Sequence, residues 1–300
     1  MSITAVLLIL VSAATHVGWN FINKREHPTA AFLLLANTLG CLLLLPAILI
    51  GLPALGAYPT QVWCWLGITG IFQAVYYAGL AGAYRNGDMS IAYPLARATP
   101  VVWVALVNLA LGADLRLLAL GGMGLIVIGS LILPLPRLSD FRPRNYAQAT
   151  TRLALVAALG TTGYSLCDSH ALALLRNAPG MNISSTLLTM QYAFLEGMMS
   201  SAWLALWVLA RAEERAHWRN IVRVHRGRAA LAGAGIHIGY TLVLIAMAFA
   251  ANVSYVVAFR QISIPLGALV GVLALKEPSP RPKLIGVALM SAGLVLVAVA

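Results

Sequence analysis

Acidic charge is nearly missing from this sequence: nine Asp and Glu stand among 300 residues, and all charged residues together make up 10%, against roughly 25% in an ordinary soluble domain. The few acids are scattered. They form no paired Asp-rich motifs of the kind that would hold a metal or a phosphate group, which counts against a catalytic site. Cysteine is equally scarce. Cys41, Cys64 and Cys167 each lie inside an apolar run, with no CxxC or Cys/His spacing, so no metal or cofactor is expected and the three read as small core or lipid-facing residues. No positive segment precedes the first apolar run and no small-residue cleavage site follows it, so that run is expected to stay as a helix. No stretch is polar and long enough for a soluble domain, and the whole chain reads as one membrane unit.

What the sequence has instead is apolar length. Hydrophobic residues reach 60% and recur in nearly uncharged runs of roughly 18–25, the length needed to cross a hydrocarbon core of about 30 Å as helix. The runs and their breakers predict an all-α integral membrane protein of about ten transmembrane helices, near 2–21, 30–50, 61–84, 89–111, 116–134, 151–174, 184–210, 229–249, 253–275 and 281–299. Pro28, Pro53, Pro59, Asn86-Gly87-Asp88, Pro134, Pro179-Gly180 and Pro278 punctuate the breaks as turn formers do.

The basic residues sort by side. Lys24, Arg25, Arg85, Arg137, Arg142, Arg144, Arg152, the six Arg between 211 and 228, Lys276, Arg281 and Lys283 follow odd-numbered spans, while only Arg116 and Arg176 follow even ones. The positive-inside rule places the former in the cytoplasm and both termini outside. The net charge of +11 is therefore a topology signal rather than a nucleic-acid footprint, and Arg211–Arg228 reads as a solvated loop beside anionic lipid.

The two halves echo one another. Gly122 and Gly129 correspond to Gly286 and Gly293 at one common offset, and Arg97 and Pro100 to Arg260 and Pro265 with small gaps. Five spans per half would invert the second half in the membrane. The expected organisation is a first five-helix repeat at 1–135, a basic cytoplasmic linker at 136–150 and a second repeat at 151–300.

At these residues the chain resembles the drug/metabolite transporter superfamily, specifically its EamA-type carriers. The resemblance rests on His16-Val17-Gly18-Trp19-Asn20 with Lys24, on Gly87-Asp88-Met89-Ser90-Ile91-Ala92-Tyr93-Pro94-Leu95-Ala96-Arg97 with Pro100, on Tyr164 with Asp168, on Arg260 with Pro265, and on Lys276-Glu277-Pro278. It implies two inverted five-helix halves in a plasma (inner) membrane and a small-molecule substrate moved by exchange or proton coupling. It does not identify the substrate. Many such relatives have cytoplasmic termini, and the charge bias departs from that pattern.

Four charged residues lie within spans, where a charge costs from about 2.5 to above 10 kcal/mol and faces a partner or a wet cavity. Arg97 shares a face of its span with Ser90, Tyr93 and Pro100, and helix-turn counting puts it near one end of a central cavity, with Arg260 near the other. Glu196 stands alone at mid-span and is the first choice for a proton-coupling group, with Asp168, one turn beyond Tyr164, as the second. His16, Trp19 and Asn20 share a face, as do His237 and Tyr240; Gln73, Tyr76 and Tyr77 put polar tips on the third span. Such stripes either line a pore or make interhelical contacts.

The candidate substrate-binding set is therefore His16, Trp19, Asn20, Tyr77, Tyr93, Arg97, Tyr164, His237, Tyr240 and Arg260. The expected function is a secondary transporter of a small polar metabolite, anionic or zwitterionic, working as monomer or homodimer. The alternative is a membrane-embedded enzyme acting on lipid or isoprenoid groups.

Overall fold

The computed structural model describes residues 1–25, 29–86, 89–133, 135, 137–140, 149–273 and 279–300, with side chains described for all of these except 21, 23–25, 86, 89–95, 270, 271 and 273. Among the described residues the regular structure is entirely helical. The first half carries α1 (Ile3–Arg25), α2 (Ala30–Cys41), α3 (Leu45–Ile50), α4 (Thr60–Asn86), α5 (Met89–Ala110) and α6 (Leu117–Ile132). The second carries α7 (Ala149–Arg176), α8 (Ser185–Ala210), α9 (Ala212–Asn220), α10 (Arg226–Ala246), α11 (Val253–Phe259), α12 (Ser263–Leu273) and α13 (Arg281–Val299).

Local chemistry sets several of these ends. Thr29 Oγ1 accepts from Phe32 N–H at the start of α2, Ser184 Oγ from Leu187 N–H at α8, and Asn252 Oδ1 from Ser254 N–H at α11. Each satisfies one of the orphan donors of a first turn. Gly112 and Gly180 have φ of +82° and +78° in the turns after α5 and α7, a conformation that side-chain-bearing residues rarely adopt.

Among the described residues, six stretches are long and apolar enough to cross a membrane: 3–20, 30–50, 60–85, 185–210, 212–249 and 281–299. Shorter apolar helices cover 96–110, 117–132 and 253–269. α7 has the length, at 28 residues, but its Thr, Ser, Gly and Asp content keeps it outside the six. The outer surface is apolar, with Leu7, Val11, Leu106, Leu206 and Val295 exposed, while Asn37, Asp168, Gln191, Glu196 and Arg260 are buried. Polar inside and apolar outside is the distribution a lipid solvent imposes. The chain is a multi-pass membrane protein.

One expectation is overturned. The basic segment from Arg211 to Arg228 is helical: α9 continues through a π-helical turn, Ile221–His225, directly into α10. Charge alone suggested a loop, but no Pro or Gly interrupts the segment before Gly227. Glu213 and Glu214 occupy the first turn of α9, where the helix dipole favours negative charge. Glu214 is also anchored, because its Oε2 accepts from Ala31 N–H at 3.0 Å and its Oε1 pairs with Arg85 at 3.1 Å.

Packing places four helices around the interior: α1 lies on α10, and α4 on α7. α2 packs between α8 and α10, while α6 runs against α13. Glycines make the closest crossings. A methyl on Gly160 of α7 would sit 2.6 Å from the Phe72 carbonyl of α4, and one on Gly129 of α6 would sit 2.7 Å from the Gly286 carbonyl of α13. Backbones that close require small residues.

Candidate functional site

Where α1, α4, α7 and α10 meet the break between α11 and α12, His16, Trp19, Gln73, Tyr76, Tyr77, Tyr164, Ile236, Tyr240 and Arg260 line a cavity. Its volume is about 20 Å³, counted as space for the centre of a water molecule, room for roughly one water. The site is narrow.

Arg260 organises it. The residue is 5% exposed and begins a 3₁₀ turn, Arg260–Ile262, that separates α11 from α12. Its Nη2 donates to Tyr164 OH at 3.5 Å, and its guanidinium carbon lies 5.3 Å from the centroid of the Tyr240 ring. Tyr164 stands edge-on to both Tyr240 and Tyr76, at centroid separations of 5.3 and 5.8 Å. These are the edge-to-face and cation–π arrangements that aromatic quadrupoles favour.

Behind Tyr240 sits Asp168, with no exposed surface. Its Oδ1 accepts from Thr69 Oγ1 at 2.6 Å and Tyr192 OH at 2.7 Å, and its Oδ2 accepts from Tyr240 OH. Three hydroxyls from α4, α8 and α10 thus hold a carboxylate that does not line the cavity. Glu196, one turn beyond Tyr192 on α8, is also buried, and its Oε1 has no hydrogen-bond partner among the described residues.

A second polar cluster centres on Asn37. Its Nδ2 lies within hydrogen-bonding distance of Gly197 O, Ser200 Oγ and Ser201 Oγ, while its Oδ1 accepts from Tyr77 OH at 3.0 Å. His237 Nε2 lies 3.0 Å from the Asn37 carbonyl.

The candidate residues therefore divide. His16, Trp19, Tyr77, Tyr164, Tyr240 and Arg260 come together around the cavity. His237 is turned toward Asn37, and Asn20 donates to the His16 carbonyl of its own helix at 2.7 Å. The side chain of Tyr93 lies outside the described residues, as do Lys276-Glu277-Pro278.

The expected separation of Arg97 and Arg260 toward opposite ends of the cavity is wrong. Both border one small void with Ile9, Ser12, Ala13 and His16. Arg97 Nη2 donates to Ser263 Oγ at 2.6 Å and to the Arg260 carbonyl at 3.4 Å. Counting helix turns ignores how α5 crosses the α11–α12 break, and it is that crossing which brings the two together. Sequence reading also passed over Asn37, Thr69 and Ser263. Each is an uncharged polar residue within a span, and only its partners distinguish it from a helix-packing Ser, Thr or Asn.

Residues 3–135 match the family model described as EamA-like transporter family. That stretch is similar to the family. The EamA-like stretch supplies His16, Trp19, Gln73, Tyr76 and Tyr77 to the cavity, and the rest of the chain supplies Tyr164, Ile236, Tyr240 and Arg260. No curated protein matches the chain in sequence. Among 27 matching chains of solved structures, one described only as a crystal structure of a protein is 17% identical, with a TM-score of 0.67, over 100% of this chain and 98% of that one. That similarity establishes a shared fold across both the EamA-like stretch and the remainder.

Proposed function

We propose that this protein is a secondary carrier that moves a small metabolite by alternating access, with the cavity around Arg260 as its substrate site. The observation that carries the reading is a buried guanidinium in an aromatic cavity lined by both halves of the chain. A charge is retained inside a membrane protein where it meets a substrate, an ion or a partner, and among the described residues no ion pair to Arg260 is present.

The proposal includes two inverted halves, 1–135 and 151–300 about the linker 136–150. The repeated glycines support it by meeting crosswise. Gly122 faces Gly293 and Gly129 faces Gly286, although their repeat equivalents are Gly286 and Gly293 respectively. A two-fold relation between the halves produces that exchange. Other packings pair up in the same way: α1 with α10 answers α7 with α4, and α2 with α10 answers α8 with α4. Rocking one half against the other would widen the narrow cavity toward either side.

Glu196 and Asp168 are the proposed proton-coupling groups, the first supported by its unpartnered buried oxygen and the second by its bond to the cavity residue Tyr240. The remaining features of the reading are a plasma (inner) membrane location and external termini, supported by the loop charges.

Counterflow in liposomes tests the function. Purified protein preloaded with one member of a metabolite panel should accumulate the labelled form of a transported member. Failure of every anionic, zwitterionic and neutral member to exchange would overturn the carrier reading.

A further inference from the structure

Two buried donors of the cavity lack acceptors. Arg260 Nη1 and Trp19 Nε1 are each shielded from solvent without a hydrogen-bond partner among the described residues, although their residues, 5% and 3% exposed, line one cavity. Leaving one such group unsatisfied costs about 1–3 kcal/mol, and more when it is charged. Donors left open in a cavity of this kind call for an acceptor from outside.

The lining also specifies charge. Among its described members are one guanidinium, one imidazole, one amide and no carboxylate; Asp168, the nearest acid in the hydrogen-bond network, is occupied by three hydroxyls. An ammonium group placed here would meet no counter-charge among the lining residues, and a dianion would exceed the single positive charge of the lining's one guanidinium. A carboxylate matches: its two oxygens can accept from the guanidinium and the indole as charge-assisted hydrogen bonds. The remaining walls include Tyr76, Tyr164 and Tyr240, with Tyr164 edge-on to the other two, a surface suited to a flat ring.

We infer that the opened cavity binds an aromatic monocarboxylate, its carboxylate on Arg260 Nη1 and Trp19 Nε1 and its ring among Tyr76, Tyr164 and Tyr240. The inference rests on the reading of this cavity as the carrier's substrate site.

The test is isothermal titration of the full-length protein in detergent at pH 8 with probes sharing one ring: 4-hydroxyphenylacetate, 4-hydroxyphenylethanol, tyramine and tyrosine. 4-Hydroxyphenylacetate should bind at least about tenfold tighter than each of the others: the alcohol and tyramine lose hydrogen bonds to a charged group, and tyrosine keeps its carboxylate but brings an ammonium that meets no counter-charge in the lining. Trp19→Phe keeps a ring and removes the N–H, and should weaken 4-hydroxyphenylacetate by about tenfold while leaving 4-hydroxyphenylethanol within about threefold. Arg260→Lys should weaken it further. If that variant does not fold, the ligand series on the parent protein and Trp19→Phe decide the matter.

Tyrosine or tyramine binding as tightly as 4-hydroxyphenylacetate would overturn the inference. So would an unchanged affinity in Trp19→Phe, or no binding of any probe. Uptake of labelled 4-hydroxyphenylacetate into liposomes is read separately. Binding without uptake would overturn the carrier reading and keep the ligand class, whereas uptake of other solutes without this binding would do the reverse.

Discussion

Gly122 and Gly293 touch backbone to backbone across the α6–α13 crossing: a methyl on Gly122 would stand 2.6 Å from the Gly293 carbonyl oxygen, and one on Gly293 would stand 2.5 Å from that of Gly122. Gly121, the neighbour in sequence, has open space where its methyl would go. Gly122→Ala should therefore lower the unfolding free energy by about 1–3 kcal/mol, the usual cost of overpacking. Gly121→Ala should be neutral or slightly stabilising, since Ala is the better helix former. Thermal unfolding of the two variants in the same detergent checks the contrast, and equal effects would remove the crossing from the argument.

Asp168 should be a stability residue as much as a transport residue. Tyr192→Phe removes one of its three donors and is expected to cost about 1.5–3 kcal/mol, the range for hydrogen bonds to charged groups. Asp168→Ala strands three hydroxyls and should cost more. Unfolding measurements on both single variants and the double variant should give a coupling of at least about 0.5 kcal/mol; strict additivity would mean that the bond contributes nothing.

Arg97 is expected to act through its neighbours. Its fork reaches Ser263 and the Arg260 carbonyl, so it fixes the turn that presents Arg260. Lys cannot reproduce a planar fork of donors. Arg97→Lys should reduce the yield of folded protein, while affinity in the surviving monodisperse fraction stays within about threefold of the parent. A drop of a hundredfold in that fraction would instead put Arg97 against the substrate.

Glu196→Gln should abolish accumulation driven by a pH gradient while exchange of substrate for substrate persists. Both are measured in the same liposomes. Undiminished uphill transport by the variant would assign the proton to another group.

The orientation read from charge predicts that a cysteine introduced at Asn220, on the exposed side of α9, is protected from an impermeant thiol reagent in intact cells, while a tag at either terminus is accessible. The Arg85–Glu214 pair puts the end of α4 and the start of α9 on the same side, as the charge bias requires. Labelling of the cysteine with protection of the tags would reverse the assignment.

Helices were the legible part of this fold, because a membrane writes them as uninterrupted apolar length. Their internal breaks were not legible. The stretch near 30–50 divides at Leu42–Leu44 with nothing in hydropathy to mark the place, and that near 253–275 at Arg260–Ile262, where the polarity of Arg260 and Gln261 reads as a site rather than as a break. Arg211–Arg228 shows the opposite failure, since charge hid a helix whose local preferences were sound. In the site, polarity picked out Arg260, Tyr164, Tyr240 and Trp19, while His237 and Asn20 carried the same signal and turned elsewhere. A polar residue in an apolar run announces that it has a partner, and only the packing says whether that partner is protein.

α7 bears on how the chain comes to be made. Its buried face carries Thr150, Thr151, Thr161, Thr162, Ser165 and Asp168, so a translocon weighing it in isolation would find little reason to release it into lipid. What makes it tolerable there is α4, which it packs along and which supplies Thr69 to its carboxylate. Synthesis has finished α4 long before α7 emerges, so the earlier helix is in place to receive the later one. The order of the chain is in that respect an order of assembly: the first half supplies the polar berth that α7 occupies.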